Sequence, residues 1–152
     1  MKMRWVRKSF DELSKEELYR ILMTRVAVFV VEQACPYPEV DGRDQDSLHL
    51  WLEVDGEIAA YCRIISPENV DGHYTIGRVL VTEDHRGKGY ARAMMTEAVR
   101  VLEEEWKVGR IFLHGQEHLR HFYGSFGFEE ISDVYLEDGI PHVDMIKQTA
   151  GG

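Results

Sequence analysis

Val79-Leu80-Val81, then Thr82-Glu83-Asp84-His85, then Arg86-Gly87-Lys88-Gly89-Tyr90-Ala91, constrain this chain more than any other stretch. The apolar run reads as a strand, the glycines as a tight turn, and Gly89 to Trp106 as the clearest helix in the sequence. Ala91, Met94, Met95, Ala98, Val101 and Leu102 recur at the i, i+3, i+4, i+7 spacing of one buried face. The turn and first helical residues leave unpaired amides at the positive end of the helix dipole. Gly87 and Gly89 have no side chain to hold a ligand off that backbone. Such a turn suits an anion, a pyrophosphate in particular, with Arg86 and Lys88 adding local charge. A plain helix cap is an equally good reading of the turn taken alone. Two better-known glycine loops are excluded: no Ser or Thr follows a Gly-Lys pair, and the dinucleotide fingerprint would need glycine where Arg92 stands.

Around this segment the pattern predicts strands and helices in a definite order. Residues 3–9 alternate loosely as a first strand. Ser14-Lys15-Glu16-Glu17 is a capping box with a Leu13/Leu18 staple, so a helix starts there and runs toward Phe29. Ala34 to Gln45 is a long loop. Leu48–Val54 and Glu57–Ile65 flank Asp55-Gly56, a strong hairpin signal, and Thr75–Val81 follows a turn containing Asn69, Asp71 and Gly72. Arg110–His114 reads as a short strand, His118–Phe126 as a short helix ended at Gly127, and Phe128 onward as two further strands. The whole predicts an α+β chain, a mixed and mainly antiparallel sheet flanked by helices. Residues 1–148 would form one domain and 149–152 a disordered tail.

Composition narrows the function classes. A formal net charge of −9 disfavours nucleic-acid binding, which needs clustered Lys and Arg. It mildly favours a cationic partner such as an amine, although ordinary solubility charge explains it as well. The longest apolar run, Val26–Val31, is too short to span a bilayer. The N-terminus lacks the apolar stretch of a secretory signal, so a cytoplasmic location is expected. Cys35 and Cys62, far apart and outside any C-x-x-C pattern, are expected as free thiols.

Arg86-x-x-Gly89-x-Ala91 after Val-x-Val resembles the acetyl-CoA motif of the GNAT acetyltransferases, and Phe122-Tyr123-Gly124-Ser125-Phe126-Gly127-Phe128 resembles that family's second signature. Within the superfamily the chain most resembles the ElaA-type proteins. The matching stretches are Val28–Gln33, Cys35-Pro36-Tyr37, Ile76-Gly77-Arg78-Val79 and Glu137–His142. The resemblance implies the acyl-CoA N-acyltransferase fold and transfer of an acetyl group from acetyl-CoA to a primary amine by direct attack, without a metal. It implies that acetyl-CoA lies between the Thr75–Val81 and Arg110–His114 strands. Backbone groups of Val79 and Val81 would pair with the pantetheine arm. An amide near Val79 or Leu80 would polarise the thioester carbonyl. Amides of Gly87, Lys88, Gly89, Tyr90 and Ala91, after Arg86, would hold the pyrophosphate. Tyr123 would protonate the leaving thiolate; without the motif it reads as a core aromatic. Ala91 replaces a motif glycine yet suits helical φ, and Gln116 stands where many members have asparagine. The implied partners are acetyl-CoA and a small-molecule or peptide amine, with a homodimer allowed and neither nucleic acid nor a membrane.

The base that frees the amine is not legible. Glu32 and His49 are the candidates, each also readable as structural. Arg63 and Arg78 lie in apolar strands and are expected to pair with an acid such as Glu32, or with an acidic substrate group. Asp41-Gly42-Arg43-Asp44-Gln45-Asp46 could attract a cationic acceptor or be a solvated loop. Two rivals stay open: an acyl-CoA-binding GNAT domain without catalysis, and a zinc hydrolase on His114-x-x-Glu117-His118, with His121 nearby. The second needs a helix where Gly115 and the preceding strand argue against one.

Overall fold

The computed structural model describes residues 1–67 and 73–149. Ser14 Oγ accepts from the Glu17 amide at 3.0 Å while the Glu17 carboxylate accepts from the Ser14 amide at 2.8 Å. Helix α1, Lys15–Arg25, therefore starts where the capping box places it, and it continues as a π-helical stretch over Val26–Glu32. Strand β1 is Met3–Ser9, and β2 (Ser47–Val54) and β3 (Glu57–Ile65) form the hairpin. Its turn residues Asp55 and Gly56 both have positive φ, 52° and 83°, the backbone that an Asp-Gly pair permits. The turn predicted around Asn69, Asp71 and Gly72 lies outside the described residues.

Strand β4 is Tyr74–Val81, helix α2 is Tyr90–Arg100 with a π-helical end over Val101–Glu105, and β5 is Arg110–Gln116. A short helix α3, Arg120–Gly124, precedes β6 (Glu129–Glu130), β7 (Tyr135–Glu137) and β8 (Ile140–Gln148), so three strands follow Phe128 where two are expected. The eight strands form one mixed sheet ordered β1-β2-β3-β4-β5-β8-β6, with β7 on β8. Pairing is antiparallel apart from β4 beside β5. Of the expected tail, Thr149 is tied down, its amide donating to the Gly109 carbonyl at 3.0 Å; 150–152 are outside the described residues.

Each sheet face carries its own core. Leu50, Cys62, Ile64, Ile76, Leu113 and Val143 pack with Met94, Met95, Ala98 and Leu102 of the α2 segment. Enclosing Met94 and Met95 completely contributes about 1.5–3 kcal/mol apiece. The opposite face presents Trp51, Tyr61 and Leu80 to Ile21 and Val28 of the α1 segment. Ile76 and Leu80 share even parity yet serve different faces, which a regular strand cannot do. A bulge resolves this: Arg63 pairs with Gly77 and Tyr61 with Leu80, so β4 spends one extra residue at Arg78, whose φ is 52°.

Beside the bulge lies a buried ion network. Arg25, wholly buried, bonds Asp44 at 2.6 Å and Glu39 at 2.8 Å. Arg63 bonds Asp44 at 3.0 Å and grips Asp41, and Arg78 bonds Glu39 at 2.6 Å. Arg63 and Arg78 thus pair with Asp41, Asp44 and Glu39, not with Glu32, and Asp44 is buried where a solvated loop was one of the two readings. Arg63 Nε is the buried side-chain polar atom left without a hydrogen-bond partner among the described residues.

Candidate functional site

β4 and β5 touch only at one end, Tyr74 opposite Ile111 and Thr75 opposite Phe112. Beyond that both strands continue, β4 to Val81 and β5 to Gln116, without pairing. The gap opens into a cleft of about 880 Å³. The Thr82 amide donates to the Ala59 carbonyl at 2.9 Å, toward β3. By the alternation of strand backbone, Leu80 also faces β3 while Val79 and Val81 turn their N–H and C=O groups to the open edge. Arg86 Nε uses one of them, donating to the Val81 carbonyl at 3.1 Å.

At the far end of β4 the chain makes a 3-10 turn, Glu83–His85, and then the glycine turn. Gly87 and Gly89 have φ of 77° and 81°, left-handed values that a side chain would strain. The first helical bond is Ala93 N–H to the Gly89 carbonyl at 3.1 Å, so the Tyr90 and Ala91 amides precede any intrahelical acceptor. Gly87, Gly89, Tyr90 and Ala91 line the cleft, and Lys88 is exposed beside them. The arrangement is a nest of donors fit for an anionic group.

Arg86 is spent on a different task. It clasps Glu32 with two bonds, 2.6 and 2.8 Å, joining the end of the π-helical stretch to the end of β4. The Arg86 hydrogen bond and charge hold the Glu32 carboxyl below its usual range, which makes Glu32 a poor base. His49 is fully buried away from the cleft, with Nδ1 on the Tyr61 hydroxyl at 2.7 Å and Nε2 on the Asp44 carbonyl at 3.0 Å. Burial pushes its pKa down. It braces the ion network.

Tyr123, on α3, lines the cleft and is 7% exposed, and burial pushes its hydroxyl up to about 12. The surrounding motif residues explain its placement. Phe122 and Phe126 meet edge to face at 5.3 Å, and Arg92 of α2 lies 4.8 Å over Phe126 and bonds Ser125 at 3.1 Å. The helix stops at Gly124, short of the expected Phe126, and a turn through Gly127, φ 94°, leads Phe128 into the core. Gly115 of β5 lies beneath the ring, where a Cβ would stand 3.0 Å from Tyr123 Cε2 and from Leu113 Cδ1 and would press on both. Gln116 reaches across the cleft to Gln33 at 3.4 Å.

Sequence reading missed one grouping. The β5–β8 register sets His114 opposite Asp144, and the His114 Nδ1 lies 2.6 Å from the Asp144 carboxylate, which also accepts the Tyr135 hydroxyl. Burial alone would raise the Asp144 carboxyl, but these hydrogen bonds hold it below the usual carboxylate range. A histidine ending a strand was visible in the sequence; its partner thirty residues on was not. The zinc pattern dissolves here. His114 is on β5 and Glu117–Leu119 form a 3-10 turn, so the shared helical face it needs is absent among the described residues.

An Acetyltransferase (GNAT) domain model matches residues 11–149. The chain is 39% identical to protein ElaA of Escherichia coli over 146 residues, 95% of each chain, and 46% identical to a UPF0039 protein of Schizosaccharomyces pombe over 93% of this chain and 94% of that one. Among solved structures, an acyl-CoA N-acyltransferase from Pseudomonas aeruginosa superposes with a TM-score of 0.91 at 40% identity, covering 96% of this chain and 99% of the other. E. coli ElaA superposes at 0.88 with 38% identity, covering 97% and 100%. The architecture is the acyl-CoA N-acyltransferase fold.

Proposed function

Because the chain belongs to the GNAT acetyltransferase family, we propose that it moves an acetyl group from acetyl-CoA to the primary amine of a small molecule or peptide, by direct attack in a ternary complex. The observation that carries this reading is the divergence of β4 from β5, with a donor nest at one end and Tyr123 at the gap. In it, amides of residues 87–91 hold the pyrophosphate, and Lys88 supplies charge that Arg86, paired with Glu32, does not. Val79 and Val81 bond the pantetheine arm as an added strand would. The Val79 amide, turned to the open edge, is the donor suited to polarise the thioester carbonyl, since the Leu80 amide faces β3.

Tyr123 then donates to the departing sulfur. Burial raises the phenol to about 12, and desolvation disfavours a free thiolate beside it as well, so the proton moves between two groups shifted in the same direction. The free Cys35 and Cys62 accord with a cytoplasmic, reducing location. No helix among the described residues is long and apolar enough to cross a membrane.

The test is release of CoA from acetyl-CoA across a panel of primary amines, with calorimetry of acetyl-CoA binding. Tyr123→Phe should bind acetyl-CoA normally and lose kcat by on the order of 10²–10⁴-fold. Wild-type turnover in that variant removes Tyr123 from the chemistry. Tight acetyl-CoA binding with no amine accepted favours the non-catalytic reading.

A further inference from the structure

The cleft opens on both faces of the sheet, and the two faces differ in kind. Consecutive residues of a strand turn opposite ways. Leu113, with Val143 and Met145 opposite on β8, joins the core under α2, and Gly115 lies against Tyr123. His114 and Asp144 therefore share the other face, the one that α1 covers over β2–β4. Here β7 supplies the Tyr135 hydroxyl to Asp144. His114, Glu32, Gln33 and His142 line the cleft on this side.

Of these groups one is arranged as a base. Glu32 is held by Arg86. His142 has Nδ1 at 2.7 Å from the Ile140 carbonyl and Nε2 facing Glu137 at 3.5 Å. His114 has Nδ1 on the carboxylate of Asp144, an acceptor only, so Nδ1 carries the proton and Nε2 is the basic nitrogen of the ring. Asp144 is itself fixed by Tyr135 and by the Ser132 hydroxyl facing its amide at 2.9 Å. The imidazole is thus oriented from behind, as a positioned base must be.

We propose that His114, oriented by Asp144, is the general base of the transfer, and that the acceptor is therefore an alkyl amine that arrives protonated. This rests on the acetyl-transfer reading above. The ammonium gives one proton to Nε2 of His114, directly or through one water. The freed lone pair forms the C–N bond to the thioester carbonyl carbon as the C–S bond breaks, its electron pair leaving on sulfur. A second proton lost by nitrogen balances the one that sulfur takes through Tyr123, and His114 returns its own to solvent. A weakly basic amine, already unprotonated at neutral pH, needs no such group.

The experiment compares two small probes at high concentration, ethylamine and hydroxylamine, with wild type, His114→Gln and Asp144→Asn. Ethylamine requires deprotonation and hydroxylamine does not. His114→Gln should lose kcat with ethylamine by on the order of 10²-fold or more while keeping hydroxylamine turnover within a few-fold. Asp144→Asn, which misorients the ring but retains it, should show the same split to a smaller degree. Equal loss with both probes, or none with either, overturns the assignment, the first because it marks a structural role. Wild-type protein that binds acetyl-CoA but acetylates neither probe overturns the transfer reading and the base with it.

Discussion

Asp44→Ala tests the ion network beside the cleft. The side chain of Asp44 is 6% exposed and carries bonds to two buried arginines, Arg25 at 2.6 Å and Arg63 at 3.0 Å. Arg25, Arg63 and Arg78 face Glu39, Asp41 and Asp44, three charges of each sign. Removing Asp44 breaks two charge-assisted bonds, each contributing roughly 1.5–3 kcal/mol, and leaves one buried positive charge in excess. The expected loss is about 3–5 kcal/mol, as for other buried pairs deprived of one partner. In a chain of this size that lowers Tm by roughly 6–20 °C. Urea unfolding followed by circular dichroism should show a lower midpoint at unchanged m-value. Asp46→Ala, exposed in the same short turn, is the control and should stay within about 0.5 kcal/mol of wild type. An Asp44→Ala protein within about 1 kcal/mol of wild type would refute the view that this residue neutralises the two arginines.

Three further outcomes follow from the geometry. Gly89→Val should strain a backbone held at φ 81°, costing on the order of 1–2 kcal/mol, and should weaken acetyl-CoA binding by calorimetry; unchanged affinity in the folded variant refutes the amide cradle. Gly115→Ala puts a Cβ 3.0 Å from Leu113 and Tyr123, so it should cost about 1–3 kcal/mol by thermal melting, and an unaltered Tm would show that the strand shifts freely. Burial would raise the Asp41 carboxyl, but Arg63 holds it well below its ordinary range. Its stabilisation is therefore complete above the unfolded value of about 3.9 and declines as pH falls below that toward the folded one. Asp41→Asn should flatten the acid side of the urea-midpoint profile, and an identical profile contradicts the linkage.

The elements legible in the sequence are those closed by local hydrogen bonds. The Ser14–Glu17 box, the Asp55-Gly56 turn and the glycine turn into α2 each complete their bonds within about four residues. Arg86–Ala91 and Tyr123 gather at one cleft because two short motifs each position their own backbone. What escaped depends on distant partners. Asp41 and Asp44 look like loop acids until β3 and β4 bring Arg63 and Arg78 over them. His114 gains Asp144 only through the β5–β8 register, and nothing near His49 announces that Tyr61 and the Asp44 carbonyl will enclose it. The bulge at Arg78 is invisible locally, because Ile76-Gly77-Arg78-Val79-Leu80 reads equally well as an unbroken strand.

That bulge makes β4 a strand with two phases. Before it, an even-numbered residue belongs under α2; after it, an even-numbered residue belongs under α1. Deleting any one residue from 77–79 would let the strand run in a single phase. Ile76 and Leu80, then three positions apart, would still reach opposite faces, so both cores would keep their side chains. What the extra residue supplies is a local bend and added twist in β4 at Arg78, beside the cleft. A chain one residue shorter here would keep the side-chain frame of both cores and lose the kink that carries Arg78 to Glu39.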